Sequence, residues 1–183
     1  ITDRQFFTSR LLAGHFEDMA AAQTRRYKYN RRVHVNLVWE PKSSMMAMTD
    51  NQVILINCGN KFITKVRGRE NRYQIVCGFF AHELGHVLYT DFLAGQTHIN
   101  FLGQGKWFPD KPVLNIRNEA ALWDYANDSD ENMQAIQYLA SEISNVIEDG
   151  YIEDRMLLNF PGTLKYGLES LRDIHFAQMP TVT

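Results

Sequence analysis

Residues 81–86 read AHELGH, and this stretch decides how the rest of the chain is interpreted. His82 and His86 are separated by four positions, and on an α-helix such residues are neighbours on one face. Two imidazole nitrogens placed in this way can bind one Zn²⁺ at about 2.0–2.1 Å. Glu83 follows the first histidine, where it can accept a proton from a zinc-bound water without being a ligand. The stretch therefore predicts a zinc site with His82 and His86 as ligands and Glu83 as general base.

The residues around this motif predict a buried helix from about Glu70 to Tyr89. Apolar side chains occur around much of its circumference, which is typical of a helix inside a core. A motif of two histidines and a glutamate has many chance matches on exposed helices, and the buried context favours metal binding over that alternative. These apolar positions are Ile75, Phe79, Leu84, Val87 and Leu88.

Two histidines do not complete a catalytic zinc site, which usually has three protein ligands and one open position. Residues 145–155 read NVIEDGYIEDR, and their acidic and amide groups interrupt an otherwise apolar helix predicted over about 130–158. Such polarity beside an apolar stripe costs free energy unless a cation compensates for it. We expect Glu148 to be the third ligand, with Glu142 and Glu153 as the alternatives.

Asp149 is a candidate for a different role beside the metal. A histidine ligand usually donates its other ring N–H to a carboxylate, and Asp149 can accept that hydrogen bond. The competing interpretation of this segment is a solvated acidic face, in which Glu148 pairs with Arg155 or Lys165.

These residues resemble the gluzincin group of zinc metallopeptidases, which carry one HExxH helix and a glutamate on a later helix. The resemblance is carried by His82, Glu83, His86 and Glu148. It implies that the two histidines and the later glutamate bind zinc, and that the glutamate of the motif is the catalytic base. The thermolysin-like subgroup has NExxxD on its ligand helix, whereas Asn145 precedes Glu148 here by three positions. Only the role of the glutamate is therefore carried over from that subgroup.

The chain is also similar, more loosely, to bacterial HExxH domains that precede a von Willebrand factor A-type domain. The similar stretches are HVLYTD at 86–91 and Asn145-x-x-Glu148-Asp149. The gluzincin resemblance implies a zinc-dependent peptidase that hydrolyses peptide or protein substrates. A further His, Tyr or Arg usually stabilises the oxyanion in such sites. The candidates are Tyr151, His98, His175 and Arg155, and Asp91 either orients a ligand histidine or forms the polar end of its helix.

We expect an α+β, zincin-like fold for a single domain of residues 1–183. Residues 1–69 should form a helix and a small sheet, and residues 70–183 a helical part that carries the metal ligands. Three β-branched runs, at about 33–39, 45–49 and 53–57, predict the strands, and a polar turn between the last two predicts a hairpin. The sheet should pack on the HExxH helix, with an edge strand beside the metal cleft that can pair with an extended substrate.

Composition narrows the classes of partner. The chain has 183 residues and a formal net charge of −2, which argues against a dedicated nucleic-acid-binding domain. The basic stretch 24–32 is interpreted as a solvated surface, and a DNA-associated regulator that uses its arginines is a weaker alternative.

Two cysteines outside any CxxC pair favour free thiols in a reducing, cytoplasmic compartment. No apolar run reaches the ~18–20 residues of a membrane span.

Two further expectations concern the C-terminal half. Glycines and prolines predict a long loop over 93–118, whose aromatic residues are covered by another domain, by substrate or by the loop itself. The tail from Pro180 reads as an extended linker, which suggests a piece of a longer protein with further domains. In the alternative to a peptidase, the chain is a metal-binding interaction module with little or no general proteolytic activity. Cleavage by the wild type compared with Glu83→Gln distinguishes the two.

Overall fold

The computed structural model describes residues 1–26 and 32–178. Most of the basic stretch predicted to be a solvated surface, and the tail predicted to be an extended linker, lie outside the described residues.

The chain divides into two compact units. Unit 1 contains residues 1–90 and 151–183, and unit 2 contains residues 91–150. The boundary between Gly150 and Tyr151 falls inside one continuous helix, Asp130–Asn159. This division differs from the predicted boundary at residue 69, and the assignment of the whole chain to one zincin-like domain stays a prediction.

Unit 1 combines helices with a small sheet, so the coarse α+β class predicted from the sequence is confirmed. Its strands lie where the β-branched runs predicted them, and the HExxH helix covers the predicted range. The elements in chain order are α1 (Asp3–Phe7), α2 (Arg10–Arg26), β1 (His34–Val38), β2 (Ala47–Thr49), β3 (Val53–Asn57), α3 (Lys61–Thr64) and α4 (Arg69–Tyr89). Unit 1 also contains the last part of α7 (Asp130–Asn159) and α8 (Thr163–Gln178).

The three strands are ordered β1-β3-β2, with β3 in the centre. β1 pairs in parallel with β3, and β2 pairs with β3 in the predicted antiparallel hairpin. The turn is stabilised by Asp50, whose Oδ1 accepts hydrogen bonds from the backbone N–H groups of Gln52 and Val53 at 2.9 and 2.7 Å. Asn51 adopts φ of 74°, a conformation that asparagine tolerates better than most residues. Because β3 is the central strand, β2 lies at one edge of the sheet.

The sheet and the HExxH helix share one hydrophobic core, as the sequence predicts. Both β2 and β3 contact α4, and α2 contacts β1 and α4. Ile54 and Ile56 of β3 are fully buried, and Phe16 of α2 stacks on Phe80 of α4 with ring centroids 4.6 Å apart. Because α4 is enclosed in this way, its backbone is a rigid support for the two histidines.

Helices α4 and α8 approach each other closely through two glycines. A Cβ atom on Gly78 would collide with the carbonyl oxygen of Gly167, and one on Gly167 would lie 2.8 Å from the backbone nitrogen of Gly78. Leu171 of α8 is buried at the same contact. The absence of both side chains allows the two backbones to touch, and it fixes the position of α8 against α4.

Unit 2 contains α5 (Phe92–Leu102), α6 (Ile116–Asp128) and the first part of α7. The prediction of one long loop over 93–118 is therefore wrong for its first ten residues and its last three. Asp91 begins α5 by accepting a hydrogen bond from the backbone N–H of Ala94 at 2.9 Å. Gly95 lies within the helix, and only at Gly103 does a glycine coincide with its end. The glycine content of this stretch suggested a loop, but the N-terminal cap provided by Asp91 allows a helix to form there.

The aromatic residues of the remaining connection pack within unit 2. Phe101 and Phe108 have ring centroids 5.4 Å apart, as do Trp107 and Trp123. Trp107 also donates its indole N–H to Glu119 at 3.3 Å. Trp107 and Phe108 are therefore covered, at least on one side, by aromatic residues of α5 and α6 in the same unit.

Helix α7 follows its predicted range closely, but its apolar stripe is largely exposed in the structure. Within unit 2, α7 contacts α5 through Gln137, which donates a hydrogen bond to the carbonyl of Ile99 at 3.1 Å and packs against Gly103. This contact uses a polar side chain instead of the stripe. The exposed residues are Leu139, Ile143, Val146 and Ile147, whereas Ile136 is half-buried.

Among the helices of residues 1–26 and 32–178, none combines the length and the apolar character needed to cross a bilayer.

Candidate metal centre

The two histidines of the motif lie side by side on α4. The ring centroids of His82 and His86 are 5.0 Å apart and the rings are nearly perpendicular. This arrangement follows from their i, i+4 spacing on the helix. The placement of both rings on one face agrees with the sequence analysis.

Each histidine has its Nδ1 atom in a hydrogen bond. Nδ1 of His82 is 2.9 Å from Oε1 of Glu153, and Nδ1 of His86 is 2.9 Å from Oγ1 of Thr90. A neutral imidazole that donates from Nδ1–H carries its lone pair on Nε2. The carboxylate of Glu153 accepts such a bond, so His82 offers Nε2 as a metal ligand in the arrangement usual for protein zinc sites. The hydroxyl of Thr90 can donate or accept, so it orients the ring of His86 without fixing its tautomer.

The carboxylate of Glu153 is held from two sides. Its Oε2 atom accepts a hydrogen bond from Nε of Arg172 on α8 at 2.5 Å, while Oε1 contacts His82. Burial of Glu153 opposes its ionisation, but the hydrogen bonds with His82 and Arg172 outweigh burial and lower the pKa of this carboxyl below its ordinary value. Glu153 is consequently an ionised acceptor beside His82.

Asp149 supplies the third donor atom of the group. One ligand atom each from His82, His86 and Asp149 lie within 4.8 Å of one another. Ligand atoms bound to one zinc at about 2.0–2.2 Å lie at most about 4.4 Å apart, so small side-chain rotations can bring these three atoms onto a single ion. Among the described residues, the predicted ligand Glu148 and its alternatives, Glu142 and Glu153, are not members of this group. The assignment of Glu148 stays a prediction, and the geometry favours Asp149.

Asp149 and Glu153 are four residues apart on α7, so they share one face of that helix. The i, i+4 spacing that indicates the histidine pair also indicates this acidic pair, which was not predicted as a pair. Gly85 of the motif allows helices α4 and α7 to approach each other closely. A Cβ atom there would lie 2.9 Å from Cδ1 of Ile152 and 3.1 Å from Cγ of Met156, both buried on α7.

Glu83 is buried, with only 6% of its surface exposed. It immediately follows His82 on α4, and the group of three donor atoms does not include it. The role of Glu83 as a general base stays a prediction.

Two of the proposed oxyanion-stabilising residues contact each other in unit 1. The guanidinium of Arg155 lies 5.1 Å from the ring centre of Tyr151, and Tyr151 also meets Tyr89 edge-on with centroids 6.5 Å apart. His175 lies against Phe62, with ring centroids 6.2 Å apart. Their role in catalysis stays a prediction.

The remaining candidates are engaged in unit 2 or at its start. Nδ1 of His98 is 3.2 Å from the carbonyl oxygen of Phe108. Asp91 caps α5, which fits its interpretation as the polar end of a helix, and Thr90 makes the hydrogen bond with His86. Neither Thr90 nor Arg172 was predicted from the sequence to contact the histidines or their partners.

The cysteines are unsuited to chemistry at this centre. Cys58 and Cys77 are fully buried in the core. Burial raises the pKa of Cys58 to about 12 and that of Cys77 to about 11. Both therefore stay protonated thiols near neutral pH, as expected for packing residues.

No protein-family model, curated protein or solved structure matches this chain.

Proposed function

We propose that the chain is a zinc-dependent peptidase whose metal is held by His82, His86 and Asp149. The observation that carries the proposal is the convergence of these three donor atoms within 4.8 Å, together with the engagement of both histidine Nδ1 atoms. Three protein ligands and an open fourth position are typical of catalytic zinc, whereas structural zinc sites are closed by four protein ligands.

The chain's own residues supply the remaining chemistry. When bound, zinc lowers the pKa of a water molecule and polarises the carbonyl group of the scissile bond. Glu83 accepts the proton of the attacking water and delivers it to the leaving amine. A structural zinc site would not need this buried carboxylate, which favours a peptidase over a metal-binding interaction module. The edge strand β2 packs on α4 and offers backbone groups for an extended peptide.

The test compares peptide hydrolysis and zinc content in the wild type and in Glu83→Gln. We expect Glu83→Gln to keep about one equivalent of zinc and to lose activity by a factor of roughly 10² or more, because only proton transfer is removed. Glu142→Gln is the control, since Glu142 is an exposed residue of α7 outside the donor group. A zinc-loaded wild type that cleaves no peptide or protein in a broad substrate library would contradict the peptidase assignment.

A further inference from the structure

We propose that Arg172 is a positioning residue for the metal centre, acting on His82 through Glu153. This inference rests on the proposed metal site but not on peptidase activity. It adds to that site a residue on α8, the last described helix, 86 positions beyond the motif's second histidine.

The geometry is a continuous chain of hydrogen bonds from α8 to α4. Arg172 Nε donates to Glu153 Oε2 at 2.5 Å, and Glu153 Oε1 is 2.9 Å from His82 Nδ1. The two carboxylate oxygens of Glu153 therefore have separate partners. Since Arg172 engages Oε2, it limits rotation of the carboxylate and directs Oε1 towards His82.

The position of Arg172 is itself fixed by packing. The neighbouring residue Leu171 is buried against Gly78 of α4, and Gly167, one turn and a half earlier on α8, contacts the α4 backbone. Arg172 thus belongs to a helix docked on the same helix that carries His82. The side chains of Glu153 and Arg172 are 16% and 37% exposed, so water competes only partly for their ion pair.

The consequence for metal binding concerns the orientation and tautomer of His82. A hydrogen bond from Nδ1–H to Glu153 keeps the lone pair on Nε2 and holds the ring in the plane from which Nε2 can reach a metal. Without Arg172, Glu153 can adopt other rotamers, and His82 loses its fixed acceptor. Partners that orient a ligand in this way typically change metal affinity by 10–100-fold.

The experiment measures the Zn²⁺ affinity of the full chain by competition with a chelating dye. The variants are Arg172→Gln, Arg172→Met, Arg172→Lys, Glu153→Ala and the double variant Arg172→Gln/Glu153→Ala. Lys165→Gln is the matched control, because Lys165 is a cation on the same helix whose partner, Glu169, is exposed. Circular dichroism and thermal unfolding verify that each variant folds.

We expect Arg172→Gln to weaken zinc binding about tenfold and Arg172→Lys to retain part of the affinity. Glu153→Ala should weaken binding at least as much as Arg172→Gln, and the double variant no more than Glu153→Ala alone, because Arg172 acts through Glu153. Lys165→Gln should bind zinc as the wild type does. In the metal-free protein, long-range ¹H–¹⁵N spectra should show the Nδ1–H tautomer of His82 in the wild type and a mixture in Arg172→Gln.

Three results would overturn this role. One is unchanged affinity and an unchanged His82 tautomer in Arg172→Gln, or in Arg172→Met if the first variant does not fold. Another is an additive loss in the double variant, since additivity would mean that the two residues act independently. A wild type that binds no zinc would refute the proposed metal site and this inference together, whereas zinc binding without hydrolysis would refute only the peptidase.

Discussion

Glu153 Oε1 lies 2.9 Å from Nδ1 of His82, so this carboxylate of α7 orients a histidine and is not one of the three candidate metal-binding groups. Asp149, one turn earlier on the same helix, is the carboxylate within the donor group. One face of α7 therefore carries both the third member of the candidate donor group and the hydrogen-bond partner of His82, in the same way that one face of α4 carries both histidines.

The first prediction concerns the contact between α4 and α8. Gly78→Ala and Gly167→Ala should each lower the free energy of unfolding by about 1–3 kcal/mol or more, because the new methyl group meets backbone atoms that cannot rotate away. Urea unfolding monitored by tryptophan fluorescence or circular dichroism measures the loss. Each substitution should also weaken zinc binding, since α8 carries Arg172.

Gly14→Ala is the matched control for this pair. Gly14 also lies inside a helix, α2, but a Cβ atom there would have no neighbour within 4 Å. The substitution should leave stability unchanged or raise it by about 0.4–1 kcal/mol, because alanine restricts the unfolded chain. Equal effects at Gly14 and Gly78 would mean that helix propensity, and not close packing, determines the result.

The second prediction is a pH-dependent contribution from Glu17 on α2. Its carboxylate accepts two hydrogen bonds from Arg10, at 3.0 and 2.8 Å, and one from the backbone N–H of Val35 at 3.2 Å. Despite burial, the hydrogen bonds from Arg10 and then from Val35, aided by nearby His34, lower the pKa of Glu17 to about 2. A carboxyl with a lowered pKa stabilises the fold above its ordinary pKa, and this stabilisation is lost as the pH falls towards 2.

Glu17→Gln should therefore be less stable than the wild type at pH 7, by about 1–3 kcal/mol. The difference should shrink as the pH falls below about 4.5, where the unfolded wild type begins to gain a proton that the folded state does not. Urea unfolding at several pH values between 7 and 3 measures this difference in the free energy of unfolding. Glu142→Gln, at an exposed position, is the control. A difference that stays constant over this range would show that the ion pair does not lower the pKa of Glu17.

The third prediction concerns the two thiols. Because burial raises the pKa of Cys77 to about 11 and that of Cys58 to about 12, their thiolate fractions at pH 8 are small. A disulfide reagent should modify them at least about 10²-fold more slowly in the native protein than in urea. Ser144→Cys introduces an exposed thiol on α7 as the comparison. Rapid modification of the native wild type would indicate that the core around Cys77 opens readily.

Local sequence patterns predicted much of unit 1. Alternation of β-branched residues located β1, β2 and β3, and the apolar circumference of α4 predicted a buried helix. These patterns succeed because strand and helix periodicity report which faces are buried. Patterns failed in unit 2, where the capping carboxylate of Asp91 begins α5 in a glycine-containing stretch. The stripe of α7 is apolar in sequence but exposed in the structure, and periodicity alone does not identify what a helix packs against.

Sequence spacing predicted two of the three residues in the candidate donor group for a similar reason. Spacing within α4 identified His82 and His86, since both belong to one helix. The third donor comes from α7, and the choice between Glu148 and Asp149 depends on how α7 is rotated about its axis. Buried Ile152 and Met156, which pack on Gly85, determine that rotation. Arg172 is further still from the motif in sequence, and only the packing of α8 brings it to Glu153.

Zinc content of the purified protein, compared between Asp149→Asn and Glu148→Gln, tests the central claim most directly. The two substitutions each remove one negative charge, at neighbouring positions of α7, and only Asp149 belongs to the donor group with His82 and His86. We predict about one zinc per wild-type chain, a similar content in Glu148→Gln, and loss of most of the metal in Asp149→Asn after dialysis against a weak chelator. Full retention of zinc in Asp149→Asn with loss in Glu148→Gln would contradict the ligand assignment, and a wild type without zinc would contradict the metal centre itself.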